Sequence, residues 1–462
     1  MAMTSLPPLP VPSPQRGWRS VLRDRFRARR QRDRQSGVAF LITIASLSML
    51  IALVSQFTYG TTIDSAQAAN ARDEVRAHYL ARAAVSLSRL LIKIQLQFVE
   101  PIMEQAQAML SKAMEGQDLG ISLRVTDYAT PLLGFFAGSK METAMLGGLI
   151  GIDTAGATGL GIPAGHMDAS ITNEDGKIDI NCGGGPVPER PKQIMVFRQL
   201  QALMSSPRYN WLFEQQNAEG QYVDRIDLAR AVIDWADSDE QGFAIDANAA
   251  GPEDYRYDQR EDPYLAHNNF YDTLEEIGQV RGMSPDFAEA FASNLTVYAG
   301  NRDCKVNLKS VKGDCTPLLV GLIRAALFAD PSKPPVDISI LDDKRAYPLA
   351  SILCERGAVV GFGSLDTVVS VLANPAGSIS REDPRFQLMQ NMTGITITKA
   401  QLSQVATVEA PRVYRVVATA ESGKVKKTIT VILDSKRYPD NPVTSNPEAE
   451  RASGVIQYWR EE

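Results

Sequence analysis

The sequence concentrates carboxylates in two neighbouring segments, DWADSDE at 234–240 and GPEDYRYDQRED at 251–262. They include Asp234, Asp237, Asp239, Glu240, Glu253, Asp254, Asp258 and Asp262. Acidic residues one or two positions apart in flexible loops supply the oxygen ligands, about six to eight, that Ca²⁺ prefers. The spacing is not that of an EF-hand loop. These residues alone leave two interpretations open, a calcium site and a solvated acidic surface loop.

The four cysteines of the chain are Cys182, Cys304, Cys315 and Cys354. They show no CxxC spacing, which disfavours a zinc site. Outside the cytoplasm an even number of cysteines permits disulfides. Cys304 and Cys315 flank the turn-like segment KVNLKSVKGD, and we predict a disulfide between them. The alternative is four unpaired thiols.

Sequence signatures of catalysis are missing from the chain. It has no nucleophile elbow, no phosphate-binding loop and no HExxH motif. Its three histidines, His78, His166 and His267, lie far apart in unrelated contexts, so a histidine-based active site is not expected. We therefore predict that the protein is not an enzyme.

Charge is distributed unevenly along the chain. Residues 1–37 contain nine arginines, two aspartates and no lysine, whereas the whole chain carries a formal net charge of -6. The body after Gly37 is therefore strongly acidic. It is a poor partner for nucleic-acid phosphates, which bind clustered Lys and Arg. The turn at 281–285, a candidate backbone-gripping hairpin, also lies among acidic residues, and we expect no nucleic-acid partner.

An apolar run follows the basic start. Residues 38–54 are seventeen positions without a charge, and the uncharged stretch continues to Ile63, about enough to cross a bilayer as a helix. Because the arginines precede this run, the N-terminus is predicted to be cytoplasmic. A secretory signal cleaved near 66–69 is the alternative, but a helical pattern continues through that point.

Residues 64–98 have the apolar spacing of a helix. Apolar side chains recur at three- and four-residue steps, at Val75, Tyr79, Ala83, Leu87, Leu90, Leu91, Ile94 and Phe98. Gly and Pro are absent from 61–100, and Pro101 follows. We predict one helix from about 38 to 98, whose apolar stripe is divided between its own sheet and partner helices.

The rest of the body combines strands and short helices. Residues 166–185 predict two strands around the turn 174–176. Amphipathic helices are predicted at 192–205, 224–236, 271–280, 284–295, 317–329, 347–355 and 364–373. A period of two predicts strands at 394–398, in a hairpin around 421–423, and at 455–460. Segments 270–291 and 362–375 look like two copies of one helical module.

Several of these segments together resemble one protein family. They are the basic leader ending at Gly37, NARDEVRAHYLARAAVSLSRLL (70–91), NEDGKIDIN (173–181), ARAVIDWADSDE (229–240), FYDTLEEIGQVRGMSPD (270–286) and VYRVVATAE (413–421). In order and spacing they are similar to general secretion pathway protein K, the large minor pseudopilin family of the type II secretion system. The resemblance runs from about residue 37 to the C-terminus.

The resemblance implies an α+β fold, in which a long N-terminal transmembrane helix packs on an antiparallel sheet. A large all-α domain of two helix-hairpin-helix or SAM-like modules is inserted into it. The implied divisions are the cytoplasmic prepilin leader 1–37, the transmembrane part of the helix 38–58, the first pseudopilin part 59–190, the inserted helical domain 191–385 and the C-terminal strands 386–462.

The family also implies how the N-terminus is processed. Prepilin peptidase would cut after Gly37, and Val38 would become the methylated N-terminus. Most pseudopilins carry Glu at the fifth mature position, which is Ile42 in this chain. A subunit without that Glu suits the filament tip, because no neighbouring subunit lies above it.

Calcium and protein partners follow from the same resemblance. The family's DWxDxD and G-x-E-D patterns assign metal-ligand roles to Asp237, Asp239, Glu253 and Asp254. The implied partners are the minor pseudopilins I and J and the major pseudopilin. The implied location is the inner membrane, with one span, a cytoplasmic N-terminus and a periplasmic body. The alternatives are a membrane-anchored periplasmic DNA-binding protein for DNA uptake and a minor pilin of a type IV pilus.

Overall fold

The computed structural model describes most of the chain after residue 17. The described residues are 18–113, 124–130, 132–133, 165–216, 222–245, 251–253, 257, 263–299, 303–329, 338–359, 361–392, 394–436 and 454–462. The chain divides into two compact units, Met1–Asp73 and Glu74–Glu462. All the packing discussed below lies within the second unit.

The N-terminal helix is longer than predicted. Helix α1 spans Trp18–Ile94, a π-helical turn spans Gln95–Val99, and α2 spans Glu100–Ala113. Within the described residues, one helical stretch is long and apolar enough to cross a membrane, by length and composition alone, and its apolar window is fully exposed. This stretch fits a single-pass membrane anchor.

Pro101 does not end the helix, contrary to the prediction. In a regular helix its ring would clash with the carbonyl four residues earlier. The π-helical turn immediately precedes it, and the Glu100 N–H donates to the Gln95 carbonyl, a five-residue step. Such a turn locally widens the helix, so Pro101 is accommodated near the start of α2.

A four-stranded antiparallel sheet packs against α1. Its strand order is β1-β6-β7-β8, with β1 His166–Asn173, β6 Val413–Ser422, β7 Val425–Asp434 and β8 Val455–Glu461. Strands β6 and β7 form the predicted hairpin, paired from Val413↔Asp434 to Ser422↔Val425. The predicted α+β class, with a long apolar N-terminal helix, is confirmed.

Only part of the predicted stripe packs on the sheet, where Leu91 is buried and Ala83 and Leu87 pack against the same core. The buried positions include Ala77, Ala81, Ala84, Val85, Ile92 and, among polar residues, Ser88. Val75, Tyr79, Leu90 and Phe98 are instead about half exposed or more. Small side chains such as Ala81 and Ala84 let the helix backbone approach the sheet closely, and larger ones such as Ile92 fill the same core.

A helical domain lies between β1 and β6. Its helices are α3 Arg190–Met204, α4 Asn210–Glu214, α5 Arg225–Asp234, α6 Pro285–Phe291, α7 Thr316–Leu327, α8 Asp343–Val359, α9 Leu365–Ala373, α10 Phe386–Asn391 and α11 Lys399–Val405. Two short parallel pairs join them: β2 Ile178–Asp179 with β3 Leu295–Thr296, and β4 Val306–Asn307 with β5 Ala406–Thr407.

The domain's core extends beyond the predicted boundaries of 191 and 385. Ile178 and Ile180 at its start, and Ile395 to Ala406 near its end, belong to the same buried cluster as the helices. This cluster shares no member with the core between α1 and the sheet. The insertion therefore occupies about 178–408.

The predicted strand at 394–398 was wrong. Residues 394–398 form no strand within the described part of the chain, and Thr398 caps α11. Ile395 and Ile397 are buried and alternate with exposed threonines. The period of two is therefore real, but it packs against helices, with the Ile395 N–H bonded to the Leu372 carbonyl at 2.8 Å.

The two look-alike helical segments differ in detail. In the first, a 3₁₀ helix, Leu274–Gln279, precedes α6. In the second, α9 precedes a 3₁₀ helix, Pro375–Ser378. Both begin with a hydroxyl cap, Thr273 or Ser364. Their assignment as helix-hairpin-helix or SAM-like modules stays a prediction.

The predicted disulfide between Cys304 and Cys315 was wrong. The pairs are Cys182–Cys304 and Cys315–Cys354, with Cα–Cα distances of 5.5 and 5.6 Å. Cys304 lies beside the chain that leaves β2, whereas Cys315 immediately precedes α7 and faces α8. Closeness in sequence was therefore a poor guide, because β4 and the 3₁₀ turn Leu308–Ser310 carry the chain from one partner to the other.

Candidate metal centre

Three carboxylates converge inside the helical domain. Asp234, Asp237 and Glu253 each offer an oxygen, and these ligand atoms lie within 4.8 Å of one another. Their side chains are almost inaccessible to solvent, at 5%, 1% and 3% exposure. Burying several carboxylates together is costly unless a cation or protons compensate their charge.

The end of α5 positions the two aspartates. The helix starts with an Asp224 cap that accepts the Ile226 N–H. Its hydrogen-bonding pattern continues past Asp234, where the Asp237 N–H donates to the Ile233 carbonyl at 3.1 Å. Residues three apart on a helical path lie on one face, so both carboxylates point to the same place.

A short extended pairing brings Glu253 to this face. The Gly242 N–H donates to the Gly251 carbonyl at 2.9 Å, and the Glu253 N–H to the Glu240 carbonyl at 3.4 Å. Gln241 and Pro252 form an isolated antiparallel bridge. The second acidic segment thereby folds back on the first.

Hydrogen bonds hold the aspartates but leave one oxygen available. Asp234 Oδ1 accepts the Phe243 N–H at 2.7 Å, and Asp237 Oδ2 accepts from Gln193 Nε2 at 2.6 Å. Asp237 Oδ1 is buried without a hydrogen-bond partner among the described residues. A buried carboxylate oxygen in this state is suited to a cation.

Electrostatics disfavours the charged form of both aspartates. Burial raises the pKa of Asp234 to about 7, although the Phe243 N–H and the charge of Arg281 act in the opposite direction. Burial and the negative charges of Asp234 and Asp239 raise the pKa of Asp237 to about 8. A bound cation would reverse this penalty and stabilise the carboxylates.

The structure brings together two of the four predicted ligands. Asp237 and Glu253 are in the cluster, whereas Asp239 is exposed and accepts the Gln241 N–H at 2.9 Å. Asp254 lies outside the described residues. Asp234, which also belongs to the cluster, was not among the predicted ligands, although its three-residue spacing from Asp237 at a helix end was a signal for it.

The predicted processing residues lie within α1. Gly37, Val38 and Ile42 are all helical and exposed. Cleavage after Gly37, methylation of Val38 and the significance of Ile42 stay predictions.

The fold and this cluster define a class of protein. In it, an apolar helix packs on an antiparallel sheet, and an inserted helical domain contains a buried acidic centre. Residues 191–300, which include the cluster, match the family model of type II secretion system protein K. The resemblance noted in the sequence is thus confirmed over that segment.

Comparison with solved structures finds a chain from the crystal structure of the GspK-GspI-GspJ complex of the enterotoxigenic Escherichia coli type 2 secretion system. The match has a TM-score of 0.36 and 15% sequence identity, and covers 65% of this chain and 80% of that chain. No curated protein matches the sequence.

Proposed function

We propose that this chain is a minor pseudopilin of the type II secretion system, which caps or initiates the pseudopilus tip together with the minor pseudopilins I and J. The observation that carries the proposal is the family match over 191–300, in a domain inserted into a helix-on-sheet body. Its role is structural, in the export of folded proteins across the outer membrane.

The bulk of the insertion favours the tip. The described part of the helical domain lies between β1 and β6 and has its own buried core. In a shaft every subunit is surrounded by neighbours, so a domain of this size would obstruct packing. At the end of a filament it extends into free space.

The outer face of α1 favours contacts with partner helices. Val75, Tyr79 and Leu90 are 56%, 64% and 49% exposed, and exposed apolar side chains that line one helix face are typical of interaction surfaces. In this proposal they pack against the helices of minor pseudopilins I and J and the major pseudopilin.

Ile42 is consistent with the same position. An unpaired carboxylate in the apolar segment would be costly in lipid. A tip subunit has no neighbour above it to supply the pairing amine, and the apolar side chain at this position avoids that cost.

Processing and location complete the proposal. Prepilin peptidase cuts after Gly37, the helix is retained as an inner-membrane anchor, and the body is periplasmic, where the two disulfides are stable. N-terminal sequencing and intact mass of the membrane-extracted protein should show a methylated Val38 as the first residue. Any other start would contradict prepilin processing.

The tip role is tested by co-purification. The full-length chain is co-expressed with minor pseudopilins I and J and the major pseudopilin and is extracted in detergent. Proteins I and J should co-purify stoichiometrically, and Tyr79→Glu should reduce their recovery. Ser370→Glu, at an exposed polar position of α9 in the helical domain, is the matched control.

Two results would contradict the tip role. Recovery of I and J unaffected by Tyr79→Glu would exclude this helix face as the contact. Strong, salt-dependent retardation of DNA by the detergent-solubilised protein would favour the DNA-uptake alternative.

We also propose that the acidic centre binds calcium through Asp234, Asp237 and Glu253. The donor set consists of oxygens alone, which suits a hard cation, and Asp237 Oδ1 is buried without a protein partner among the described residues. Asp254, adjacent to Glu253 in sequence, remains a candidate ligand, and Asp239 is the least favoured because it is exposed.

Calcium titration of the full chain in detergent tests this site. Asp237→Asn should weaken calcium binding about tenfold or more, because a ligand charge is lost. Asp239→Asn, which removes a neighbouring exposed carboxylate, should change the affinity by less than about threefold. Equal effects of the two substitutions would refute the assignment.

A further inference from the structure

A disulfide and a run of three glycines lie next to the acidic centre. The chain leaves β2 through Asn181 and Cys182 and continues as Gly183–Gly185. We propose that the Cys182–Cys304 disulfide and this glycine loop form a rigid support that holds the Asp237 carboxylate in place for cation binding. The cation-binding part of this inference rests on the calcium site proposed above.

The loop contacts the chain that carries Asp237. The Gly185 N–H donates to the Ala236 carbonyl at 2.6 Å, and Gly185 and Asp237 form an isolated parallel bridge. A Cβ atom on Gly184 would lie 2.6 Å from the Ala236 carbonyl oxygen. Only glycine permits this approach, so the backbone of the loop fixes the position of Ala236 and Asp237.

The same loop contacts the helix that supplies the hydrogen bond to Asp237. A Cβ atom on Gly183 would lie 2.7 Å from the Gln193 backbone nitrogen, near the start of α3. The Glu189 N–H donates to the Gly183 carbonyl at 3.3 Å. Since Gln193 Nε2 donates to Asp237 Oδ2, the loop separates and positions both partners of that bond.

Contacts at both ends of the glycine loop hold it in place. The Asn181 amide donates to the carbonyls of Tyr271 and Val297, both at 2.9 Å, and its oxygen accepts the Tyr271 N–H at 2.7 Å. On the other side, the Phe270 ring covers Gly185 so closely that a Cβ there would lie 2.2 Å from it.

The disulfide also connects the loop to α3. Cys182 is bonded to Cys304, whose carbonyl accepts from Gln199 Nε2 at 2.8 Å. Gln199 and Gln193 both belong to α3, and Gln193 reaches Asp237. Support groups of this kind restrict a ligand to its binding position before the ion arrives.

A steric change in the loop tests the support without removing any ligand. Gly184→Ala should force the loop away from Ala236 and weaken calcium binding by the full-length protein about tenfold. Gly278→Ala is the matched control, because a Cβ there meets no atom within 4 Å. Unchanged calcium affinity in folded Gly184→Ala protein would overturn the proposal.

Removal of each disulfide provides a second comparison. Cys182→Ser with Cys304→Ser should weaken calcium binding about tenfold. Cys315→Ser with Cys354→Ser, which removes the disulfide between α7 and α8, should lower the thermal midpoint but leave the calcium affinity of the folded protein unchanged. Equal affinities in the two double variants would overturn the proposed support.

Hydrogen exchange in calcium-free protein separates this inference from the calcium proposal. Loss of Cys182–Cys304 should speed exchange of the Gly185 and Asp237 amides, which donate to Ala236 and Ile233, and loss of Cys315–Cys354 should not. If the wild-type protein binds no calcium, the metal proposal fails, and the exchange result alone decides on the support. Unchanged exchange at both amides would overturn it.

Discussion

Buried carboxylates join the insertion to the sheet at the scale of single residues. Asp175 accepts the backbone N–H groups of Arg412 and Val413, at 2.5 and 2.8 Å, where the chain enters and leaves the insertion. Arg412 in turn makes a bidentate pair with Asp434, at 2.8 and 2.7 Å. These bonds hold together the two points where the chain enters and leaves the insertion.

Asp175 predicts a pH dependence of stability. Burial raises its pKa to about 6, with the charge of Asp434 adding to this and the two N–H groups opposing it. Between about pH 4 and 6, the Asp175 carboxyl is therefore protonated in the folded state and ionised in the unfolded state. The free energy of unfolding should therefore fall as pH rises through this window, by on the order of 2–3 kcal/mol.

Asp175→Asn checks this dependence, since the amide does not titrate. Its denaturant-unfolding free energy, compared with that of the wild type from pH 4 to 7, should lack this fall. Parallel pH curves for the two proteins would show that Asp175 does not titrate as described.

At the scale of elements, helices α3 and α7 cross at close range. A Cβ atom on Gly321 of α7 would lie 3.0 Å from the Leu203 Cα and 3.1 Å from its nitrogen. These neighbours are backbone atoms of α3, so they cannot rotate away. Glycine at position 321 thus allows the two helices to contact each other, although it costs about 1 kcal/mol in a helix interior.

Gly321→Val should therefore destabilise the helical domain. Overpacking of this kind costs about 1–3 kcal/mol, and the thermal midpoint of the helical domain should fall measurably. Ser370→Val, at an exposed position of α9, is the control for placing a β-branched residue in a helix. A midpoint for Gly321→Val equal to that of the control would contradict the close crossing.

At the scale of the whole molecule, the described residues of the body form two separate cores. One lies between α1 and the sheet, and the other extends from Ile178 to Ala406. Both disulfides, Cys182–Cys304 and Cys315–Cys354, lie within the second. Contacts between the two regions include the ion pair of Lys309 with Glu100 at 2.5 Å.

A fragment of residues 178–408 should therefore fold by itself. Expressed in an oxidising compartment, it should unfold in one cooperative transition, because it keeps its core and both disulfides. Calorimetry and circular dichroism measure this directly. A non-cooperative melt, or loss of the helical signal, would show that the sheet is required for the insertion to fold.

Much of the secondary structure was predictable because its causes are local. The helices near 192–205, 224–236 and 317–329, and the β6–β7 hairpin, agree with the structure to within a few residues. Their caps, turn residues and apolar periods involve positions close in sequence. The strand predicted at 394–398 was wrong because the same period of two also fits a segment without regular structure that packs on helices.

The sequence by itself determined the apolar anchor, the order of helices and strands, and the acidic segments from which a cation site is built. Only the tertiary structure decided that the distant Glu253, and not the nearby Asp239, joins Asp237, and that Cys304 pairs with Cys182. It also decided that the alanine face of α1 packs on the sheet. These outcomes depend on which distant segments meet, and no local pattern of residues carries that information.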